Sequence, residues 1–114
     1  MSDDYFITPE DSGQVEMFEG IYRRTMATTD EAMLCEFFLE RHSRVPEHSH
    51  MNDQVAYVIY GRLEMTIGDV VRVCNPGDSY AVPGGVLHHE HALIDTLLVS
   101  CFSPPRNDYR TEAR

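Results

Sequence analysis

The stretch His48-Ser49-His50-Met51-Asn52-Asp53-Gln54, continuing through residues 55–60 to Gly61, decides the reading of this chain. Its two histidines are separated by one residue, so in an extended backbone both imidazoles point the same way. Imidazole nitrogens suit zinc, nickel, copper and iron, whereas the amide oxygen of Gln54 is a harder, neutral ligand. A lone His-x-His is more often a pair of ordinary surface histidines, with Gln54 making surface hydrogen bonds. A second segment changes that balance: Gly77-Asp78-Ser79-Tyr80-Ala81-Val82-Pro83-Gly84-Gly85-Val86-Leu87-His88 ends in a third histidine behind spaced glycines. With the two segments facing each other, His48, His50, Gln54 and His88 make four ligands for one divalent cation. One or two coordination positions then stay open for chemistry. Neutral ligands leave the ion its full charge, which favours Lewis acidity and the anchoring of a substrate carboxylate. His89 and His91 have the opposite strand parity to His88 and are expected to face outward; His42 is expected at the surface.

Outward from this stretch the chain reads as strands. Residues 21–25 and 33–39 are rich in β-branched, aromatic and other apolar residues, with Thr28-Thr29-Asp30-Glu31 as the turn between them. Residues 55–60 form a strand closed by Gly61. Leu63, Met65 and Ile67 alternate with Arg62, Glu64 and Thr66, the pattern of a half-buried strand. Gly68-Asp69 and Asn75-Pro76-Gly77-Asp78 are turns. Residues 70–73, 80–82, 89–92 and 96–102 supply further strands, and Pro104-Pro105 stops the sheet. The one helical candidate is a short segment over residues 31–35. Many short strands punctuated by Gly and Pro predict an all-β barrel or sandwich. The expected organisation is a lead-in over residues 1–14, a barrel over 15–105 and a polar tail over 106–114.

The chain has 114 residues, 42% of them apolar, which suits one domain with one core. No apolar run approaches the ~20 residues that span a membrane. The acidic start Met1-Ser2-Asp3-Asp4 lacks the basic flank of a secretory signal, so a cytoplasmic location is expected. Cys35, Cys74 and Cys101 are odd in number and far apart, and read as reduced thiols in apolar strands. The net charge is −10 and the nine basic residues are all arginine. That charge repels nucleic acid, and it also opposes the approach of an anionic small molecule unless a metal or an arginine draws it in.

The two segments resemble the motifs of the cupin family. The first motif is met by His48, His50, Gln54 and Gly61, with Gln54 where Glu is usual and His42 where a leading Gly is usual. The second is met by Gly77, Pro83, Gly85 and His88, with Ala92 at the terminal Asn position. The intervening residues 62–76 have the compact length of small microbial cupins. The resemblance implies a single-domain cupin, a double-stranded β-helix or jelly-roll barrel. The metal it implies is Ni, Zn, Fe, Mn or Co, and a homodimer is expected.

A narrower resemblance is to the KdgF family, small cupins of pectin and alginate breakdown. It is carried by the run from Gly61 to Gly68, by the ending Phe102-Ser103-Pro104-Pro105-Arg106-Asn107-Asp108-Tyr109, and by the His-His-Gln-His ligand set. It implies conversion of 4,5-unsaturated monouronates to linear 4-deoxy-5-keto uronates. The substrate would be a sugar acid held by the metal and Arg106, with Phe102 lining the pocket. The chain departs from the family at Ser100, where an Asp acts in proton transfer. Serine is a poor general base, and loss of a positioned base costs about 10²–10⁴ in rate. Ser100 shares strand parity with Phe102, so it is expected to face the pocket. The proton work would pass to a metal-bound water or to Tyr57, Asp95 lying too far along the strand. Arg23, Arg24, Arg62 and Arg72 are the other arginines considered for the substrate. Competing functions are a metal-dependent dioxygenase, a polyketide cyclase, and a non-catalytic ligand-binding cupin.

Overall fold

The computed structural model describes residues 5–110 and is almost entirely strand. Ten strands follow in order: β1 (Gln14–Phe18), β2 (Ile21–Thr28), β3 (Met33–Leu39), β4 (Arg44–His48), β5 (Asp53–Tyr60), β6 (Leu63–Ile67), β7 (Val70–Cys74), β8 (Ser79–Val82), β9 (His88–Ala92) and β10 (Thr96–Ser103). A 3-10 turn, Pro9–Asp11, precedes them, and one turn of helix, α1 (Asn107–Arg110), follows. The strands form two antiparallel sheets. One has six strands in the order β1-β2-β3-β10-β5-β8; the other has four, β4-β9-β6-β7. This is the jelly-roll barrel: from β3 onward the chain crosses between the sheets at every step except β6 to β7.

Residues 31–35 are not helical. Thr29 Oγ1 accepts from the backbone N–H of Glu31 at 3.2 Å and of Ala32 at 3.1 Å, closing a turn. From Met33 the period is two: Met33 and Cys35 are buried and Leu34 is exposed. Burial of alternate residues, with Met33 and Cys35 packing with Phe102 and Tyr109, decides for strand. The Asn75–Asp78 turn forms as expected, with Asp78 N–H donating to the Asn75 carbonyl at 2.9 Å and Asn75 N–H to the Asp78 carboxylate at 2.7 Å.

Inward-facing side chains of both sheets make one core, including Ile21, Leu39, Val58, Leu63, Met65 and Leu98. A smaller cluster at one end joins Met33, Cys35, Phe102 and Tyr109. Two motif glycines have physical reasons. Gly61 sits at φ 106°, and a Cβ there would collide with the Thr96 backbone and the Asp95 carbonyl. Gly85, at φ 86°, turns so that its N–H donates to the His50 carbonyl at 2.8 Å, tying the second motif to the first.

Residues 106–110, expected in a polar tail, fold back onto the barrel. Tyr109 is buried, with its ring edge-on to Phe102 at 5.7 Å and to Phe37 at 6.4 Å. The guanidiniums of Arg23 and Arg106 lie 4.0 and 4.2 Å from its ring centre. Thr25 Oγ1 donates to the Tyr109 carbonyl at 3.1 Å. Among the described residues no helix is long and apolar enough to cross a membrane.

Candidate metal centre and the cavity beside it

His48 ends β4 and His88 begins β9, and the two are paired directly across the sheet. Their rings lie 4.2 Å apart, centre to centre. The extended backbone stops at His48, so His50 does not share its strand. His50 arrives through the loop to β5, whose Asn52 side chain donates to the Pro104 carbonyl at 2.6 Å. Gln54 comes from β5 in the opposite sheet. The ligand atoms offered by His48, His50 and His88 all lie within 4.8 Å of one another.

Each imidazole has its Nδ1 committed. His48 Nδ1 donates to the Pro46 carbonyl, His50 Nδ1 to the Asn52 carbonyl and His88 Nδ1 to the Val86 carbonyl, each at 2.9 Å. A carbonyl only accepts, so the neutral rings carry their lone pairs on Nε2. His88 Nε2 is buried and has no hydrogen-bond partner. His50 Nε2 lies 3.2 Å from Gln54 Oε1, so two acceptors face each other. A cation among them resolves both features, so the donor set fits a metal. Burial lowers the His50 pKa and takes that of His88 down to about 4, with further lowering from the neighbouring histidines and Arg106. The His50 and His88 rings are therefore neutral at pH 7, the state in which a metal takes them.

The amide nitrogen of Gln54 donates to Ser100 Oγ at 3.0 Å, which turns Oε1 toward the histidines. Ser100 does face inward, but it is fully buried behind Gln54 and acts on the site through that amide. Phe102 is almost fully buried, edge-on to His50 at 5.7 Å, and forms part of the wall of a cavity of about 300 Å³. Arg106 lines the same cavity with His48 and Gln54, and its guanidinium pairs with Asp108 at 3.0 Å. Tyr57 is a correction. Gln54, Ala56 and Val58 are the buried residues of β5, and Tyr57 between them lies on the exposed outer face, away from the cavity. Of the other arginines, Arg23 is buried against Tyr109 and Arg24 pairs with Glu36 at 3.7 Å. His91 stands 3.9 Å from Glu64.

Two cavity residues were missed in the sequence. Glu90 lies on β9 with the parity of His88, and Tyr80 lies on β8 with the parity of Val82; both line the cavity. Burial raises the Glu90 pKa to about 7, partly countered by Tyr80. Burial and the nearby Glu90 hold the Tyr80 hydroxyl well above its ordinary range. The two are close enough to perturb each other, yet the buried Tyr80 hydroxyl makes no hydrogen bond. Parity with His88 was the signal available for Glu90. Tyr109 carried none, because its burial depends on the chain returning to the barrel.

The chain belongs to the cupin family, whose cupin domain matches residues 36–99. Within it the particular likeness is to KdgF. The pectin degradation protein KdgF of Dickeya dadantii (strain 3937) is 31% identical over 107 residues, covering 92% of this chain and 96% of that protein. The structure of KdgF from Halomonas sp. superposes with a TM-score of 0.84 at 30% identity, over 90% of this chain and 96% of that one. An RmlC-like cupin from Shewanella frigidimarina NCIMB 400 superposes with a TM-score of 0.87 at 27% identity, over 92% and 95%.

Proposed function

We propose that this cupin is a metal-dependent enzyme of pectin or alginate breakdown, converting 4,5-unsaturated monouronates to linear 4-deoxy-5-keto uronates. The observation that carries the reading is that Arg106 lines the same cavity as His48 and Gln54, in a chain 31% identical to a pectin degradation protein. The reaction is an isomerisation. The ring C–O bond opens, the hemiacetal hydroxyl loses its proton as the aldehyde forms, and the former alkene carbon gains a proton as the ketone forms.

His48, His50, Gln54 and His88 would hold the metal. When bound, it supplies Lewis acidity and a positive anchor for the substrate. Arg106 grips the carboxylate through its planar fork of N–H donors, which offsets the repulsion from the overall charge of −10. Phe102 gives the sugar ring an apolar wall beside His50. Ser100 is a positioning residue that keeps Gln54 Oε1 aimed at the imidazoles.

Purified protein supplied with Ni, Zn, Fe, Mn or Co should speed the loss of ultraviolet absorbance of an unsaturated monouronate, and a chelator should stop it. No acceleration over buffer with any of these metals would sink the reading. Ser100 at the family's Asp position favours one second reading, a ligand-binding cupin. Saturable binding of the monouronate without turnover would select it.

The reading includes a homodimer. Leu34, Val55, Tyr57 and Ile59 expose apolar surface on the outer face of the six-stranded sheet, where Leu34, Cys101 and Val55 are successive cross-strand neighbours. Like charge keeps copies of this chain apart elsewhere, so an uncharged face is where a second copy fits. Sedimentation showing only a 13.1 kDa species would remove the dimer. A cytoplasmic location accords with three free cysteines, Cys35, Cys74 and Cys101.

A further inference from the structure

The cavity beside the imidazoles has apolar walls, among them Val45, Leu98 and Phe102, yet it contains a carboxyl and a phenol. Their place follows from the register. In the four-stranded sheet His88 pairs with His48 and Ile67, and two residues on, Glu90 pairs with Val45 and Met65. In the six-stranded sheet Gln54 pairs with Phe102 and Val82, and two residues on, Ala56 pairs with Ser100 and Tyr80. Glu90 and Tyr80 therefore belong to the next rung, about 7 Å along the strands from the histidines. Ala56 is the small residue that leaves room there.

Tyr80 lacks the partner that burial demands, and Glu90 has no cationic one. The neighbours of Glu90 across the sheet, Val45 and Met65, are apolar, and among the described residues it forms no ion pair. The Tyr80 hydroxyl is buried without a hydrogen bond. A buried polar group left so costs about 1–3 kcal/mol unless something else bonds to it. An unpaired phenol hydroxyl beside a carboxyl that has no ion pair, both lining one cavity, asks for a ligand that brings hydroxyls.

We propose that Glu90 and Tyr80 form a hydroxyl-binding subsite that makes the cavity select polyhydroxylated acids over plain carboxylates. Arg106 and the metal end take the carboxylate. One rung on, the Glu90 carboxyl oxygen accepts from a ring hydroxyl, and the Tyr80 O–H donates to another. A site built to bond a hydroxyl rejects an analogue that lacks it, because its own polar groups are then left unpaired. This inference deepens the uronate reading and rests on it for the ligand's carboxylate end.

Calorimetric titration with two stable ligands tests it. Galacturonate carries a carboxylate and ring hydroxyls; cyclohexanecarboxylate has a six-membered ring and a carboxylate but no hydroxyl. The protein, with its metal content measured, should bind galacturonate the more tightly. Tyr80→Phe and Glu90→Leu should each weaken galacturonate about tenfold, the loss of one hydrogen bond. Glu90→Gln, which keeps an acceptor, should recover part of that loss. Cyclohexanecarboxylate affinity and metal content should stay unchanged in all three variants, which also shows that each has folded. No preference for galacturonate, or an equal loss for both ligands, overturns the subsite. The ketonisation assay is independent: a preference for galacturonate without turnover leaves the subsite standing and removes the catalytic reading.

Discussion

The side-chain amide of Gln54 donates to the hydroxyl of Ser100 at 3.0 Å, across the pairing of β5 with β10. An amide presents an oxygen to a cation only when its nitrogen is occupied elsewhere, and Ser100 occupies it. Outer groups that orient a ligand change metal affinity by about 10–100-fold when removed. Ser100→Ala should therefore lower metal affinity by about that factor in a chelator competition, with a smaller fall in kcat at saturating metal. A large fall in kcat with metal affinity unchanged would return Ser100 to direct chemistry.

Arg106→Ala should retain the metal, because the residue lies outside the four ligands. It should lose about 10–100-fold in kcat/KM for an acidic substrate, the worth of a charge-assisted hydrogen bond. Arg106→Lys should recover little, since an ammonium lacks the planar fork. Kinetics alongside metal analysis check both.

Tyr109→Ala should destabilise the fold by about 3–5 kcal/mol, because it removes a buried aromatic ring that touches Phe37 and Phe102. It also takes away the ring over which Arg106 lies, so KM should rise for the molecules that remain folded. Urea unfolding and steady-state kinetics separate the two effects. An unchanged urea midpoint would mean that α1 does not dock in solution.

Burial raises the Cys35 thiol to about 11, above its ordinary value near 9. Between those values the unfolded chain has released a proton that the folded chain keeps, so stability falls as pH rises. The contribution is fully present below pH 9 and is lost progressively toward pH 11. Buried Tyr80 and Tyr109, both raised, act in the same direction at higher pH. Cys35→Ala should flatten the fall of Tm between pH 9 and 10.5. In the native protein Cys35 should resist thiol reagents at pH 8.

The likeness of sequence to structure is uneven for reasons that can be named. The strands and the inward direction of Gln54, Ser100, Phe102 and His88 were legible because a period of two reports which face is buried. The helical candidate at residues 31–35 gives way to a turn running into β3, because Thr29 closes the turn and Met33 and Cys35 pack with Phe102 and Tyr109, contacts that carry no local signal. Tyr57 was offered for the proton work although the inward-facing Gln54 fixes the opposite parity for it. Ser100 was read only as a pocket-facing residue at the family's Asp position, whereas its hydroxyl is used by Gln54, a neighbour in space.

By itself the sequence determined the cupin barrel and the residues that can hold a cation, since both follow from short-range spacing of His, Gly and Pro along strands. Only the tertiary structure decided which atoms are free to act there. The Nδ1 atoms are spent on backbone carbonyls, and the Gln54 amide is spent on Ser100. It also brought Arg106, Tyr109, Tyr80 and Glu90 to one cavity, because contacts between sheets and with a returning tail carry no local periodicity.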